Sequence, residues 1–516
     1  MMTTELQQVI SMASSYNLIP IVRRVMADTE TPIRLFKHFA KKEHAFLLES
    51  VEGGAKWARY SFIGTDPFMM LYGKNGEMVL EQQGSKQVLN DQPLELLKAK
   101  LRAYRTPVIQ DFPPFTGGAI GFFGYDLLQY YEKLPAHRID DMNMNDIQFM
   151  FCDQIIVFDH LKQQLLLVSN VHIAEGATDG QIEEAYAATL NKIEELIQEI
   201  RSVTVATDIP SGTLDMDPEL GEVESNLTKD QFIANVNQAK DYIRAGDIFQ
   251  VVLSQRFNIE TTIDPLHVYR VLRVMNPSPY MYYLKMGEQV IVGTSPEALV
   301  KVSNGKVETR PIAGTRPRGA TLEEDKRLEQ ELLADEKEKA EHLMLVDLGR
   351  NDIGRVSKFG TVRCDSFMEI ERYSHVMHIV SNVSGELRED KDFFDAFISC
   401  LPAGTVSGAP KLRAMEIIAE LENEARGAYA GAIGYLGFAG SMDACITIRT
   451  IIFKNNRAYV QSGAGIVWDS NPESEYMETV NKAKAMLKAI RAAEKMFQPL
   501  QHANQTAVNS DYEILK

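Results

Sequence analysis

The sequence predicts an α+β (mixed α/β) enzyme fold, and three observations carry that prediction. The chain has 516 residues, more than a single hydrophobic core usually supports, so two domains or one large interleaved unit is expected. Its composition, 45% hydrophobic and 24% charged, matches ordinary globular proteins and is rich enough to close a core. Helical and strand-like apolar spacings also mix along both halves with no fixed-period repeat, which argues against a solenoid or propeller.

In the N-terminal half, Ala45 to Leu48, Gln148 to Cys152 and Leu165 to Val171 are strand-like apolar runs, whereas Ile182 to Ile200 has helical spacing. Between about Thr204 and Leu227 the composition turns to Ser, Thr, Asp, Glu, Gly and Pro without periodic apolar residues. These shifts divide the chain into residues 1–203, a linker at 204–227, a second unit at 228–498 and a polar tail at 499–516. The second unit opens with a helix: Thr228 caps, Gln231 completes a capping box, Phe232, Val236, Ala239 and Ile243 share a face, and Gly246 ends it. FQVVLSQRF follows as a strand, with further strands around Met281 to Leu284 and Val290 to Thr294.

Fifty-four basic against 71 acidic side chains give a formal net charge of -17, which repels nucleic acid and anionic membranes. An anionic substrate would therefore need local Arg, Lys or metal charge. Cys152, Cys364, Cys400 and Cys445 form no C-x-x-C pair or zinc-type cluster and read as reduced, mostly buried thiols. The N-terminus lacks the order of a signal peptide and no segment approaches a bilayer-spanning length, so a cytoplasmic location is expected.

Near the C-terminus, Asn471 suits a cap and Pro472 the first helical position, which puts Glu475, Glu478 and Lys482 on one face. A solvated face with a Glu478–Lys482 ion pair is one reading. Another is a carboxylate helix behind SGAGIVW, whose Gly463 and Gly465 let backbone N–H groups approach an anion. In EKAEHLMLVDLGRND, Glu341 shares its face with Leu345 and Leu348, so the carboxylate needs compensation. A hard divalent ion such as Mg2+ could satisfy Glu341 and Glu478 together, and an ion pair with a nearby lysine or Arg350 is the alternative. CITIRT reads as a strand carrying Arg449, whose partner would be a substrate carboxylate or a core acid. LPAGTVSGAPK supplies Thr405, and YSHVMHIV supplies His375 and His378, either a structural pair or the source of one general acid or base. The glycine-rich runs GAYAGAIGYLGFAG and SGAGI match neither a P-loop nor a dinucleotide fingerprint, and no G-x-S-x-G or cysteine elbow is present.

The ordered series PIAGTRPRG, AEHLMLVDLGRNDIGR, YSHVMH, LPAGTVSGAPK, GAYAGAIGY, CITIRT and SGAGIVWDSNPESEYMETVNKA resembles the chorismate-utilising enzyme family along the whole C-terminal half. In the isochorismate and salicylate synthases of that family a lysine activates water in the strand that here reads FQVVLS, where this chain has Gln250. In most aminodeoxychorismate synthases PIAGT reads PIKGT, with a reactive lysine that Ala313 cannot replace. The anthranilate synthase branch is the better likeness, with the aminodeoxychorismate branch and a non-catalytic tryptophan-sensing subunit as alternatives.

That resemblance implies an anthranilate synthase-like fold, with β-sheets packed as a sandwich and helices outside. It implies conversion of chorismate and ammonia to anthranilate and pyruvate, with Mg2+ held by Glu341 and Glu478 and by Glu475 directly or through water. By likeness, Arg449 and the N–H groups of Gly463, Ala464 and Gly465 hold the enolpyruvyl carboxylate, with Tyr429 and Lys482 adding contacts. Thr405 places the ring, Gly314 and Thr315 close the pocket, Glu297 is the general acid and His378 assists loss of pyruvate. LLESVEGGAKWARYSFIG and NPSPYMYY resemble a tryptophan-binding region, implying an effector pocket at Glu49, Ser50, Asn276, Pro279, Met281 and Tyr282, with Gly293, Tyr435 and Cys445 as further candidates. Residues 1–203 would then be regulatory and contact a partner, 228–498 catalytic. Because ammonium dominates at neutral pH, a separate glutamine amidotransferase subunit is expected, in a heterodimer or heterotetramer.

Overall fold

The computed structural model describes residues 4–51, 59–203, 210, 212–373 and 376–497. The tail at 499–516, most of the boundary segment 204–211, part of the LLESVEGGAKWARYSFIG segment and His375 lie outside the described residues.

Helix signals act where the sequence puts them. Thr228 and Gln231 form a reciprocal capping box on Lys229–Ala245, and Gly246 closes that helix at φ 84°. Asn471 Oδ1 accepts the N–H groups of Glu473 and Ser474, both at 3.1 Å, and starts the helix Pro472–Phe497.

The strands form two large antiparallel sheets. In the first, Leu18–Met26, Gln164–His172, Gln154–Asp159, Tyr60–Thr65 and His44–Glu49 lie side by side and then meet C-terminal strands beginning with Tyr280–Met286 and Gln289–Ser295. The run continues through Thr450–Lys454, Arg457–Ile466 and Gln250–Glu260. In the second sheet, Gly118–Phe123 of the N-terminal half pairs with Ala432–Gly437, which leads through Met442–Ile446 and Ala298–Ser303 towards Val376–Glu386 and Ile312–Pro317. The division near 204–227 is thus bridged twice. One ladder per sheet, Met281 opposite Glu49 and Ile433 opposite Phe122, makes each sheet continuous across it.

The sheets pack face to face. Phe46, Phe62, Leu166, Tyr282 and Ile452 from the first interdigitate with Phe122, Met150, Ile433 and Tyr435 from the second. Helices cover the outer faces: Asp179–Ser202, Pro265–Met275 and Pro472–Phe497 on the first sheet, Pro93–Arg102, Glu336–Gly354 and Phe393–Cys400 on the second. This is the expected sandwich with outer helices. The cysteines are free, and only Cys364 of the four is exposed.

Because the inter-sheet core draws on both halves, the chain should unfold as one unit. Phe122 is fully buried there, so Phe122→Ala is expected to cost about 3–5 kcal/mol. Urea unfolding followed by fluorescence and by far-UV dichroism should shift as a single coincident transition; two separable transitions would contradict the shared core.

Candidate active site

A cavity of about 520 Å³ opens between the C-terminal strands of the two sheets. Arg457–Ile466 and Gln250–Glu260 form one wall, Ile312–Pro317 and Val376–Glu386 another, and the helices Glu336–Gly354 and Pro472–Phe497 flank the mouth. His378, Glu297, Thr405, Gly314, Thr315, Tyr429, Arg449, Gly463, Gly465 and Lys482 all line it, as do Glu341, Glu475 and Glu478. Segments spread from 297 to 482 along the chain are thereby brought to one volume.

Ala464 stands apart. Ser254 N–H donates to Glu422 at 2.7 Å and Val252 N–H to the Ser407 carbonyl at 2.9 Å, so neither bonds its cross-strand partner, Gly463 or Gly465. The polar groups of Gly463 and Gly465 therefore point away from Gln250–Glu260, while those of Ala464 point to that strand and its side chain into the core. Two N–H groups, not three, face the cavity. A Cβ on Gly463 would come within 2.8 Å of Tyr429 Oη, and one on Gly465 within 2.5 Å of Gln250 Nε2, which is why this wall has no side chains.

Arg449 also departs from expectation. It does not sit within a strand: Met442–Ile446 belongs to the second sheet, Thr450–Lys454 to the first, and Arg449 lies at the crossing with φ 50°. A non-glycine residue in that region is uncommon and needs its surroundings to hold it. Part of that hold is the Thr294 N–H, which donates to the Arg449 carbonyl at 3.1 Å. Among the described residues no hydrogen bond or ion pair engages the guanidinium; burial lowers its pKa and the charge of Glu297 offsets this. A half-buried cation without an acceptor among the described residues is prepared for an anion from outside.

Glu297 is half-buried against the cavity and accepts a 3.0 Å hydrogen bond from Thr405 Oγ1. Desolvation raises its pKa above the usual carboxylate range, against the pull of Thr405, Lys482 and Arg449, so the proton is retained more readily. His378 is shifted the opposite way: burial lowers its pKa, with the Gly314 carbonyl opposing, and favours the neutral ring. Its Nδ1 lies 3.1 Å from that carbonyl and 3.0 Å from Thr315 Oγ1. A carbonyl only accepts, so Nδ1 carries the proton and Nε2 keeps its lone pair. The geometry depends on a bulge at Gly314, φ 75°, where a Cβ would lie 3.2 Å from Glu338, Ile379 and Leu332.

At the mouth, burial raises the pKa of Glu341 and of Glu475, and the negative charge of Glu478 pushes both the same way. Glu478 itself pairs with Lys482 at 2.7 Å, and Lys482 Nζ also donates to the Gly463 carbonyl at 3.0 Å. The ion-pair reading of Glu478 therefore describes this state of the chain, whereas Glu341 has no ion pair among the described residues and Arg350 pairs with Asp347 instead. No group of three acidic, histidine or cysteine ligands stands ready-made as a metal cage among the described residues. The donors are oxygens: Glu341 and Glu478 are exposed and Glu475 is half-buried, and desolvation and the Glu478 charge shift the pKa of Glu341 and Glu475 upward. That set fits a hard ion which takes one or two carboxylates and completes its shell with water and ligand oxygens.

Sequence reasoning missed the pair beneath the site. Arg426 is fully buried; its Nε and Nη2 donate to Glu422 at 2.7 Å, Nη1 to the Val406 carbonyl and Nη2 to the Val252 carbonyl at 2.8 Å. The guanidinium lies 4.5 Å from the ring centre of Tyr125 and 5.6 Å from that of Tyr429. The signal available was an acid and an arginine four apart in LENEARGAYA, which at that spacing resembles a surface helix pair.

Most of the residues expected to hold an effector cluster where His44–Glu49, Tyr280–Met286 and Gln289–Ser295 adjoin, but on two faces of the sheet. Glu49 and Met281 are cross-strand partners facing the helix Pro265–Met275, and Glu49 is held by Arg273 at 3.0 Å, Tyr269 at 2.7 Å and Ser61 at 3.2 Å. Tyr282, Tyr435 and Cys445 lie in the inter-sheet core, with the Tyr282 ring over Gly293 and its hydroxyl 2.6 Å from Thr450 Oγ1. Strand alternation forbids Met281 and Tyr282 side chains from lining one pocket. Asn276 Nδ2 donates to Thr294 at 2.7 Å, and Val51 N–H beside Ser50 donates to the Ser278 carbonyl at 3.2 Å, beside Pro279.

A two-sheet sandwich holding such a cavity defines a class: the chain belongs to the chorismate binding enzyme family, whose pattern covers residues 44–488. Within that family of enzymes it is similar to anthranilate synthase component 1 of Acetivibrio thermocellus, 56% identical over 491 residues, covering 95% of this chain and 98% of that one. It is also similar to anthranilate synthase component 1 of Aquifex aeolicus, 46% identical with 95% and 98% covered. The crystal structure of anthranilate synthase component I from Streptococcus pneumoniae TIGR4 superposes with a TM-score of 0.74 at 41% identity, covering 90% of this chain and 99% of that chain. No helix among the described residues is long and apolar enough to cross a membrane.

Removing one member of the buried pair leaves the other charged and unpaired. Glu422→Gln or Arg426→Met is expected to cost about 3–5 kcal/mol in urea unfolding, and the double substitution Glu422→Gln/Arg426→Met distinctly less than the sum. Additive losses would show that the two charges do not depend on each other.

Proposed function

We propose that this chain is the aminating subunit of anthranilate synthase, converting chorismate and ammonia to anthranilate and pyruvate with Mg2+. We further propose that the ammonia comes from glutamine through a separate amidotransferase subunit, that L-tryptophan inhibits by feedback, and that the chain works in the cytoplasm at the first committed step of tryptophan biosynthesis. The observation that carries this reading is the cavity's chemistry: a half-buried guanidinium with no partner among the described residues, a carboxyl whose pKa is raised, a histidine whose pKa is lowered, and carboxylates at the mouth. The branch of the family is supported by Gln250 and Ala313, both lining the cavity, because an amide and a methyl group can neither activate water nor attack a ring.

Chorismate carries two carboxylates. The Arg449 guanidinium and the N–H groups of Gly463 and Gly465 would hold the enolpyruvyl carboxylate deep in the cavity, with the Tyr429 hydroxyl and Lys482 beside it. Glu341 and Glu478, with Glu475 directly or through water, would hold Mg2+, which when bound supplies the positive charge that neutralises the ring carboxylate. Ammonia adds to the ring carbon next to the carboxylate-bearing one as the allylic hydroxyl leaves with the proton of Glu297 as water. Thr405 keeps Glu297 aimed. His378 Nε2 would then assist the loss of pyruvate that aromatises the ring, and the Gly314–Thr315 backbone closes the pocket over it.

Purified chain incubated with chorismate, Mg2+ and ammonium salt at alkaline pH should give fluorescent anthranilate and an equal amount of pyruvate. A product that retains the enolpyruvyl ether would instead identify an aminodeoxychorismate synthase. Glu478→Gln should abolish magnesium-dependent turnover, and full activity would leave the carboxylates a structural role only. Tryptophan and chorismate should weaken each other's binding in equilibrium titration, as linkage requires.

The pH profile is a separate test. His378 must be neutral to accept a proton and its pKa is lowered from 6.5, so the acid limb of kcat/KM is expected below pH 6.5. Glu297 must be protonated and its pKa is raised from 4.5, so an alkaline limb should move to lower pH when Thr405 is kept and Glu297→Asp shortens its reach from the half-buried position. A profile without an acid limb that responds to His378→Asn would remove the histidine from the reaction.

A further inference from the structure

The two halves of the chain repeat one plan. In the first sheet the strands run outward from the central pair His44–Glu49 and Tyr280–Met286 in the same succession on either side: Tyr60–Thr65, Gln154–Asp159, Gln164–His172 and Leu18–Met26 on one, Gln289–Ser295, Thr450–Lys454, Arg457–Ile466 and Gln250–Glu260 on the other. In the second sheet Gly121 and Gly434 are ladder partners at the middle of two like segments, GAIGFFG and GAIGYLG. GTDPF at 64–68 likewise corresponds to GTSPE at 293–297, and each leads at equal distance to an Asn-Gly turn in the left-handed conformation, Asn75–Gly76 and Asn304–Gly305. The ladders carry the correspondence further: Ser61 pairs with Phe158 and Phe158 with Leu165, as Val290 pairs with Phe453 and Phe453 with Ala458. Along these registers Phe68 takes the place of Glu297, Asn170 that of Gly463 and His172 that of Gly465, and Thr178 caps Asp179–Ser202 where Asn471 caps Pro472–Phe497.

A cavity of about 370 Å³ lies at that equivalent place, lined by Pro67, Phe68, Tyr104, Asp153, His172 and Lys192. Its chemistry is inverted. Asn170 Nδ2 donates at 2.8 Å to the carbonyls of Thr116 and Asp153, so a side chain fills what is a glycine cradle in the other half. Ile182, Ala185 and Thr189 stand where the other helix has Glu475, Glu478 and Lys482, and a phenyl ring replaces the acid. What remains is an aromatic wall with one carboxylate. The His172 ring meets those of Phe68 and Tyr104 edge-on at 5.6 and 6.0 Å, and Phe438 packs on Tyr104 at 4.9 Å. Asp153 Oδ2 accepts from His172 Nε2 at 2.7 Å, while Oδ1 has no hydrogen bond among the described residues. Burial raises the pKa of the Tyr104 hydroxyl and the Asp153 charge adds to the rise, so the field of that carboxylate reaches the wall.

We propose that this N-terminal cavity is a second ligand site, which takes a small organic ammonium ion with a flat apolar body. The cation lies against the free oxygen of Asp153 and the Phe68 and Tyr104 rings, and the body packs along Pro67. Asp153 and the net charge of -17 both turn an anion away. Lys192, exposed on the helix Asp179–Ser202, can meet a carboxylate carried by the same molecule, so a simple amine and an amino acid both satisfy the site.

The test titrates benzylammonium, its uncharged counterpart benzyl alcohol and L-phenylalanine separately into the full chain by calorimetry. Benzylammonium should bind at least about tenfold more tightly than benzyl alcohol, and Asp153→Asn should remove that difference. Tyr104→Leu, which leaves the His172–Asp153 contact in place, should weaken benzylammonium about threefold or more. Lys192→Met should leave benzylammonium unchanged; a loss confined to L-phenylalanine then identifies an amino acid as the ligand, and equal affinity for L-phenylalanine in both chains identifies a simple amine. No binding of benzylammonium, equal binding of benzyl alcohol, or a loss of benzylammonium in Glu49→Gln rather than in Asp153→Asn would overturn the site.

Discussion

The site depends on one buried ion pair. A guanidinium that is fully buried costs several kcal/mol unless its donors and its charge are met, and Arg426 meets both with Glu422, two main-chain carbonyls and two flanking rings. Those partners are the parts of the cavity floor: Val252 opposite Gly465, Val406 next to Thr405, and Tyr429 beneath Gly463. Glu422 also accepts the Ser254 N–H, which at this non-bonded position of the ladder points away from Gly463. The pair thus fixes three segments distant in sequence.

A second constraint joins the two halves. The strand Gln289–Ser295 contains Gly293, one of the expected effector residues, and Thr294, and leads directly to Glu297, while Thr294 N–H donates to the Arg449 carbonyl. Asn276 holds the hydroxyl of the same threonine. Thr294 thus stands in contact with the backbone of Arg449 and three residues from Glu297, the cation and the acid of the cavity.

Most of this was legible in the sequence where local chemistry decides the outcome. The Thr228 capping box, Gly246, the Asn471 cap and the alternating strands all act locally, and the carboxylates at three- and four-residue spacing fall on one helix face. What was not legible depends on long-range pairing. Arg449 reads as part of an alternating strand because nothing in CITIRT marks the point where the chain changes sheets. Ala464 reads like its glycine neighbours because bonded and non-bonded positions alternate in a ladder whose phase is set by pairing with Gln250–Glu260, about two hundred residues earlier. Met281 and Tyr282 are adjacent in NPSPYMYY and for that reason face opposite ways. The Glu422–Arg426 pair resembles a solvated helix pair until burial is known.

A chain of net charge -17 that takes up an anion must arrange its charges by depth, and here the arrangement runs from acidic to basic inward. Glu341, Glu475 and Glu478 stand at the mouth, where water lowers the cost of their mutual repulsion, and Arg449 stands where water is excluded and its field is strongest. Lys482 spans the two, bonded at once to Glu478 and to the Gly463 carbonyl. At the inner end the guanidinium, without a partner among the described residues, sits beside Glu297, whose pKa desolvation raises; the more of that carboxyl is protonated, the less it competes with an incoming carboxylate. The desolvation that raises the pKa of Glu297 thus favours at once a proton on that carboxyl and the freedom of Arg449 to meet an anion.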